Sequence, residues 1–279
     1  MRLVALPALR NNAAPIFRFR NARKLSDAFR QMRRIFDEAE LEMLDRPQPI
    51  TPELETSLES LRKLNQIFGS YRLIRYFLQD WIVPGRTYHI LDLATGSGDI
   101  PRMIVRWAGE RNIAVKIDAV DLQPSTLEIA RKRSADFPEI NFIRADARNF
   151  SEAMTYDLVC CSLALHHFSE PDAIKILRRA CEASHDKVLV SDLERSWLTW
   201  LCVYFITGTV FCDPMTKYDG RLSVRRAFSF SELDQLAHEA GWRNFGHRHF
   251  FPARQAIWMS RKEEAPAMDL ADPTLDFAT

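Results

Sequence analysis

The sequence lacks the features that mark several common classes of protein. Its 279 residues carry a formal net charge of only +1, whereas general nucleic-acid binders are usually visibly basic. Cysteine is scarce. The five cysteines are odd in number and none has CxxC spacing, which argues against a disulfide framework or a zinc site and favours a reducing cytoplasm. The hydrophobic (47%) and charged (27%) fractions are typical of a soluble globular protein with one large or two small domains.

A long apolar segment is also absent. The one stretch that invites a membrane interpretation, "WLTWLCVYFITGTVFC" at 197–212, has sixteen residues. A bilayer-spanning helix needs about 20. The sequence therefore predicts no transmembrane span. It predicts a buried or substrate-facing helix instead, with contact to a membrane surface as an alternative.

The two ends of the chain differ in composition from the rest. Residues 1–34 hold nine basic residues and a single acid. This Arg-rich, acid-poor composition resembles a transit peptide, but serine is rare and Pro7 and Pro15 interrupt any long amphipathic helix. We favour a disordered basic tail, with a targeting signal or a start at Met32 as alternatives. Residues 263–279 predict a disordered acidic tail.

The segment 35–84 is predicted to be a helical lid. Residues 35–45 have a helix-like pattern that ends near two prolines. A second helix begins with Thr51 as N-cap and Pro52 at the first helical position, and its apolar residues recur at helical spacing. Gly69 is expected to end it, and a further helix runs to residue 83.

From residue 85 onward the pattern changes to alternating strands and helices. Five short apolar runs are predicted strands: 88–94, 116–122, 141–147, 156–163 and 187–193. Helix-like segments lie between them at 99–111, 124–135 and 171–184. This alternation predicts a parallel sheet with right-handed crossovers. Because the runs are apolar on successive residues, both faces of the sheet should be covered.

After the fifth strand, residues 194–228 form an insert that we predict to be a helical cap. A helix follows with a capping box from Ser229 to Glu232. Two final strands are predicted at 243–250 and 255–262.

A glycine pair follows the first strand, in "LDLATGSGDI". Gly96 and Gly98 can adopt backbone angles forbidden to other residues and let a ligand approach, and the next helix offers free N–H groups. The Gly-Lys-Ser/Thr of a phosphate-binding loop is absent, and Arg102 replaces the third glycine of the dinucleotide fingerprint. Asp92 and Asp99 flank the loop, which suits a cationic ligand such as an ammonium beside a sulfonium.

This segment resembles the first motif of the class I S-adenosylmethionine-dependent methyltransferases, and the motif order continues over 85–262. The resemblance implies an α/β fold with a doubly wound, seven-stranded, Rossmann-like sheet. It also implies that S-adenosylmethionine is the cofactor. Within the first motif, the residues that it assigns to cofactor binding are Asp92, Ala94, Thr95, Gly96 and Gly98.

Three further segments are similar to later motifs of the family. "DAVDLQPSTLEIARKR" matches the second, which implies that Asp121 binds the ribose hydroxyls and Leu122 packs on the adenine. "INFIRADARNF" matches the third, where Asp146 would accept from the adenine amino group and the Ala147 N–H would meet a ring nitrogen. "YDLVCCSLALHHF" matches the fourth, whose strand tip lies beside the methyl group and includes Ser162.

The acceptor is suggested by the same resemblance. "LALHHF" followed by Ser-Glu-Pro resembles small-molecule enzymes, including ubiquinone/menaquinone C-methyltransferases and natural-product O-methyltransferases. "SDLERS" and "DGRLSVRRAFSFSEL" resemble bacterial methyltransferases found near type III polyketide synthases. The implied reaction is O- or C-methylation of a small apolar phenol, enol or quinol of polyketide or isoprenoid origin, in secondary metabolism. The alternatives are a non-catalytic cofactor-binding partner and an RNA or protein methyltransferase, although the Asn-Pro-Pro-Tyr motif is missing.

Two adjacent histidines occupy the place where a general base would act. We predict that His166 or His167 serves as that base while the other packs behind the strand, and we favour His167 as the ligand-facing ring. Asp192 would orient a histidine or the substrate, or cap the next segment. His247 and His249 do not combine with the pair into a recognisable metal motif, and no metal is predicted.

An aromatic-rich, apolar pocket is the last prediction. Its expected lining from the uncharged stretch is Trp197, Trp200, Tyr204, Phe205 and Phe211, with plain helix packing as the alternative. Four arginines could bind an acidic substrate, although a solvated or salt-bridged face is the commoner explanation: Arg195, Arg221, Arg225 and Arg226. The partner is a small molecule, not nucleic acid, and the sequence leaves the oligomeric state open.

Overall fold

The computed structural model describes residues 32–150, 155–211 and 213–261, and the predicted tails lie almost wholly outside these ranges. Its centre is a seven-stranded sheet in the order β3-β2-β1-β4-β5-β7-β6. The strands are β1 (Thr87–Leu93), β2 (Ala114–Asp121), β3 (Ile140–Arg144), β4 (Tyr156–Ser162), β5 (Ser184–Leu193), β6 (Phe245–Phe250) and β7 (Arg254–Ser260). The first five are parallel, and β7 pairs antiparallel with both β5 and β6. The predicted α/β sheet is confirmed.

Helices cover both faces of this sheet. They are α1 (Pro52–Ile67), α2 (Ser70–Trp81), α3 (Asp99–Gly109), α4 (Pro124–Arg133), α5 (Glu170–Ala183), α6 (Trp197–Thr209), α7 (Pro214–Arg226) and α8 (Phe230–Glu239), with a 3-10 turn at Leu165–His167. In β1, Ile90 packs with α2 and α3 on one face, while Leu91 and Leu93 pack with α5 and α8 on the other. Because successive strand residues point to opposite faces, two cores explain the continuous apolar runs.

The predicted helix over 35–45 is wrong. Residues 32–50, here called the N-terminal strap, contain turns but no helix or strand. Besides a few turn hydrogen bonds within the strap, their backbone groups bond to α7. The Asp219 carboxylate accepts from the Met43 and Leu44 N–H groups at 2.6 and 3.1 Å, and the Arg226 guanidinium donates to the carbonyls of Asp37 and Glu40. These tertiary contacts outweigh the local helical pattern, so the lid is helical only from Pro52 onward.

The uncharged stretch forms α6, as predicted, but it is not a buried helix. Leu201 and Phe205 are 60% and 67% exposed. Within the described ranges, no helix combines the length and the hydropathy that a membrane span requires. The cytoplasmic location stays a prediction.

Candidate active site

The chain leaves β1 through a tight loop at residues 94–98. Ala94, Gly96 and Gly98 have φ values of 55°, 56° and 70°. A Cβ added to Gly96 would meet nothing within 4 Å, whereas one added to Gly98 would lie 2.9 Å from the Phe142 ring. Gly96 therefore borders open space that a ligand can enter. The second glycine has a different explanation from the one the sequence suggested, because close packing against Phe142 requires it.

Arg102 takes the place of the third glycine of a dinucleotide fingerprint, and the structure gives it a role. Its buried guanidinium donates from Nη1 to the Ser97 carbonyl at 2.8 Å and to the Ser134 hydroxyl at 2.9 Å. The side chain thus fastens the glycine loop from behind. A large side chain here is incompatible with the close helix packing that the dinucleotide fingerprint uses its third glycine to permit.

Two carboxylates stand beside this loop. Asp92, near the end of β1, is 2% exposed, and burial raises its pKa to about 7. Asp99 opens α3 and accepts from the Tyr71 hydroxyl at 3.0 Å, so α2 reaches over the loop. A bound cation would stabilise the ionised form of Asp92. The pair suits the ammonium and sulfonium that the sequence predicted, and not a pyrophosphate.

Asp121 ends β2, and its carboxylate accepts hydrogen bonds from the backbone of two loops. Its Oδ2 accepts from the Gly96 N–H at 2.8 Å and its Oδ1 from the Gln123 N–H at 3.0 Å. Each oxygen keeps a further lone pair, so two hydroxyl donors can still bind. Leu122 beside it is 48% exposed and faces the same space. A large apolar side chain left in the open fits the predicted contact with a flat ring.

Asp146 and Ala147 lie in a loop, because β3 ends at Arg144 and not at the predicted residue 147. Arg148 Nη2 lies 2.6 Å from the Asp146 carboxylate and Nη1 lies 3.0 Å from that of Asp172. The hydrogen bonds from Arg148 lower the pKa of Asp146. No sequence pattern pointed to this arginine, which holds the carboxylate in its ionised, accepting form.

These groups line one cavity of about 510 Å³, a volume in the range of small-molecule sites. Eleven of the twelve predicted site residues line it: Asp92, Ala94, Thr95, Gly96, Asp121, Leu122, Asp146, Ala147, Ser162, His166 and His167. Gly98 does not, in agreement with its packing role. The motifs, which are spread over some 75 residues of sequence, therefore converge on a single cavity.

His166 forms a buried dyad with Asp192. The residue is 3% exposed, and its Nδ1 lies 2.6 Å from Asp192 Oδ1. The other carboxylate oxygen accepts from the His166 backbone N–H at 3.0 Å. Burial lowers the pKa of His166 even though Asp192 raises it, and contact with His166 keeps the pKa of Asp192 low despite its own burial. The arrangement holds a neutral imidazole with Nδ1–H bonded and the Nε2 lone pair free. Of the two roles predicted for Asp192, it orients a histidine.

His167 has the opposite electrostatic environment. Its Nδ1 lies 2.7 Å from Asp45 Oδ2, and its Nε2 lies 3.9 Å from Glu42 Oε2. Burial alone would lower its pKa, but the two strap carboxylates raise it to about 10. His167 is therefore an imidazolium at neutral pH and cannot accept a proton. The charge environment favours His166 as a base, the reverse of the preference from sequence.

The same ring pair has a spacing that a metal ion could bridge. Ligand atoms of Glu42, His166 and His167 all lie within 4.8 Å of one another. Neutral imidazole is needed for metal binding, whereas the ion pairs with Glu42 and Asp45 hold His167 protonated. A protonated histidine paired with Asp45 accounts for the grouping without an ion, and burial raises the pKa of the neighbouring Glu42 to about 7. The sequence did not anticipate this cluster, because the strap residues are more than 120 positions away.

The aromatic side chains predicted to line the pocket do not do so. Of α6, Val203 lines the cavity, while Trp197 and Phe205 point outward and Phe211 is buried in a cluster with Phe68. The apolar wall comes instead from α1 and the strap. Its main members are Phe36, Leu41, Leu58, Leu61, Leu64 and Phe68.

The four arginines singled out from the sequence are mostly structural. Arg195 donates to Glu232 at 2.6 Å and to the Met32 carbonyl at 2.6 Å. Arg221 bonds to Thr207 and covers the Tyr204 ring. Arg226 lines the cavity but holds strap carbonyls, and Arg225 does not line it. Arg254 on β7, which the sequence did not mark, also lines the cavity and has a buried Nη1 without a partner, as Arg226 has at Nε.

Comparison with known proteins finds relatives that are similar to this chain in sequence and in fold. A family described as "Methyltransferase domain" matches residues 90–186. Malonyl-[acyl-carrier protein] O-methyltransferase 1 of Ilyobacter polytropus is 32% identical over 26% of this chain and 26% of its own length. The 2-phytyl-1,4-naphtoquinone methyltransferase of Thermosynechococcus vestitus is 30% identical over 29% of this chain and 34% of its own. The chain thus spans about a third or less of these curated relatives.

A solved structure supports the same fold. Human N-acetylserotonin methyltransferase in complex with SAM superposes with a TM-score of 0.54 at 18% identity, covering 75% of this chain and 56% of that one. The matched domain begins in β1 and ends in β5, so it contains the glycine loop and all four motifs. The predicted cofactor, S-adenosylmethionine, is confirmed at the level of the family. Residues 90–186 thus form a methyltransferase domain, and the motif order and fold around it are similar to those of the class I S-adenosylmethionine-dependent methyltransferases.

Proposed function

We propose that this chain transfers a methyl group from S-adenosylmethionine to an oxygen or carbon of a small, largely apolar acceptor. The acceptor class is a phenol, enol or quinol of polyketide or isoprenoid origin. The main support is that one continuous cavity joins the cofactor-binding residues to an apolar wall. The cavity that starts at Gly96 and Asp121 extends past the His166–Asp192 dyad to an apolar wall on α1. The naphthoquinone relative, whose name specifies a quinone with an apolar side chain, supports this acceptor class.

The cofactor end of the cavity matches what the donor requires. Asp121 offers lone pairs to ribose hydroxyls, Leu122 offers an apolar face to adenine, and Asp146 is held ionised as an acceptor. Asp92 and Asp99 supply negative charge near the glycine loop. When bound, the cofactor supplies an electrophilic methyl group on a sulfonium.

The chain's own contribution to the transfer step is orientation and proton removal. His166 Nε2 has no hydrogen-bond partner among the described residues, while Nδ1–H is held by Asp192. A phenol or enol hydroxyl placed against Nε2 would donate its proton to it, which makes the acceptor oxygen or the conjugated carbon more nucleophilic. Asp192 then stabilises the imidazolium that forms. His167, already protonated, would hold the strap in place through Asp45.

The strap and α1–α2 together form the proposed lid. The strap is tied to the site by Asp45 on His167 and by Glu42, which accepts from Ser223 at 2.8 Å. Tyr71 on α2 reaches Asp99 at the glycine loop. The exposed face of α6 is proposed as a membrane-surface contact, because Leu201 and Phe205 are uncovered and the acceptor is apolar.

Transfer to an unknown acceptor can be measured directly. The protein is incubated with methyl-labelled S-adenosylmethionine and, separately, with a lipid extract, a 5-alkylresorcinol, a naphthoquinol, total RNA and a protein fraction. Mass spectrometry should find the label in a phenol, enol or quinol, and His166→Gln should reduce it. Cofactor binding without label in any small molecule would favour a non-catalytic partner, and label in RNA or protein would overturn the acceptor class.

A further inference from the structure

Arg254 is a buried cation in the wall of the cavity. It is the first residue of β7, is 4% exposed, and lies opposite Leu193 in the antiparallel pair with β5. Asp192, the carboxylate of the dyad, lies opposite the next residue of β7, so Arg254 is one register position away from it. Its Nε donates to the Ser70 hydroxyl at 3.0 Å, and its guanidinium carbon lies 5.5 Å from the centre of the Phe68 ring.

No acid neutralises this guanidinium in the part of the chain that the structure describes. Its Nη1 is buried and has no hydrogen-bond partner. Asp192 is the one acid that raises its pKa, but that carboxylate already accepts from the His166 N–H, the His166 ring and the Leu193 N–H. Burial lowers the pKa of Arg254 to about 10, so the group is still charged at neutral pH. A buried charge left without a partner is unfavourable and is expected to find one.

Two other arginines near the site, Arg195 and Arg148, have paired acids, whereas Arg226 resembles Arg254 in having no ion pair among the described residues and a buried Nε without a partner. Arg195 pairs with Glu232, and Arg226 Nη2 donates to two strap carbonyls. Arg148 is bracketed by Asp146 and Asp172. The cavity is therefore polarised. Its glycine-loop end is acidic and suits the cationic donor, whereas the end beside β7 holds the guanidinium of Arg254, which has no ion pair among the described residues, next to the Phe68 ring.

We propose that Arg254 binds an anionic oxygen of the methyl acceptor. The acceptor is then an apolar ring or chain that bears a carboxylate, or an acidic phenol or enol that is bound as its oxyanion. Guanidinium N–H donors bond strongly to either group, and Phe68 and Leu64 supply the apolar surface beside them. This inference rests on the proposed function only in placing the acceptor in this cavity.

Matched probes test the charge requirement. Calorimetry is performed on protein saturated with S-adenosylhomocysteine, using 6-hydroxy-2-naphthoate and its neutral amide, 6-hydroxy-2-naphthamide. A hydrogen bond to a charged group predicts that wild type binds the carboxylate about 10-fold to 100-fold more tightly. A second pair of probes tests the oxyanion source. Pentafluorophenol, which is ionised at neutral pH, is compared with phenol. A preference within the first pair indicates a carboxylate, and one confined to the second pair indicates a phenolate or enolate.

Variants identify the group responsible. Arg254→Met should abolish the preference and Arg254→Lys should retain part of it, whereas Arg72→Met, at an exposed arginine that bonds to the Phe251 carbonyl, should leave it unchanged. Cofactor binding and thermal melting are recorded on the same samples, so a folding defect or failure of the cofactor site is recognised separately. Absence of a preference for either anion in wild type, or a preference that survives in folded Arg254→Met, would overturn the assignment.

Discussion

Replacing Asp192 by asparagine tests the assignment of His166 as the base. The substitution keeps the size of the side chain but removes its charge. Three donors converge on this carboxylate: the His166 N–H, the His166 ring and the Leu193 N–H. Asparagine has one accepting oxygen and can satisfy only part of this set. The imidazolium that forms during proton transfer also loses its counter-charge.

The size of the effect follows from the geometry. The ring nitrogen and the carboxylate oxygen are 2.6 Å apart, and the charge centres of such a pair are roughly 4 Å apart. Two unit charges at roughly 4 Å interact by about 4 kcal/mol at an effective dielectric constant of about 20. The amide dipole retains a part of this, so we expect a loss of about 2 to 3 kcal/mol in the barrier to transfer. That corresponds to a decrease in kcat of about 30-fold to 150-fold.

Two assays test the prediction. With the acceptor identified by labelling, kcat should fall by the stated factor while cofactor binding is unchanged. Without an acceptor, imidazole NMR should show His166 neutral with the proton on Nδ1 in wild type, and its pKa should fall further in Asp192→Asn, because the carboxylate raises it. Asp157→Asn is the matched control. That carboxylate pairs with His185 at 3.1 Å at the opposite end of β4 and β5. An Asp192→Asn enzyme with wild-type kcat would refute the base assignment.

Three further results are expected. In the folded protein Glu42 and Asp45 raise the pKa of His167 against the opposing effect of burial, to about 10 from about 6.5 in the unfolded chain. The resulting stabilisation is complete below about pH 6.5 and is lost as the pH rises through about 10. The free energy of unfolding, measured with urea, should therefore decrease over that window more in wild type than in His167→Gln. Identical pH slopes would contradict the ion pairs. Treatment with EDTA should leave turnover unchanged, and a loss restored by Mg²⁺ or Zn²⁺ would assign a metal to the cluster of Glu42, His166 and His167. Phe205→Ser, at an exposed position, should change the free energy of unfolding by less than about 0.5 kcal/mol while reducing binding to lipid vesicles, and unchanged vesicle binding would argue against membrane contact through α6.

The parts of the fold set by local pattern were predictable from sequence. The apolar runs gave the strands, because a strand buried on both faces needs apolar side chains at successive positions. Thr51 gave the start of α1, and its hydroxyl accepts from Leu54 N–H as an N-cap should. The motif acids could be placed because carboxyl ends of parallel strands meet at one edge of a sheet.

Contacts between distant segments could not be predicted in this way. The strap has a helical pattern, but Asp219 and Arg226 on α7 capture its backbone groups. The sequence favoured His167 as the base, but Glu42 and Asp45 of the strap favour His166 instead. No motif spacing in the sequence indicates that these carboxylates lie beside the histidines. No sequence pattern distinguishes Arg254, because it stands in an ordinary strand, and its unpartnered Nη1 depends on a neighbouring carboxylate that is already occupied by other donors.

Calorimetric titration with S-adenosylmethionine tests the central claim most directly. Wild type should bind at one site in the micromolar range. Gly96→Val should weaken binding by at least about 100-fold, because its side chain enters the open space at the loop in a backbone conformation with φ of 56°. Gly109→Ala, at a helical position with nothing within 4 Å of the added carbon, should bind as wild type does. Absence of binding to wild type, or equal binding by folded Gly96→Val, would contradict the account.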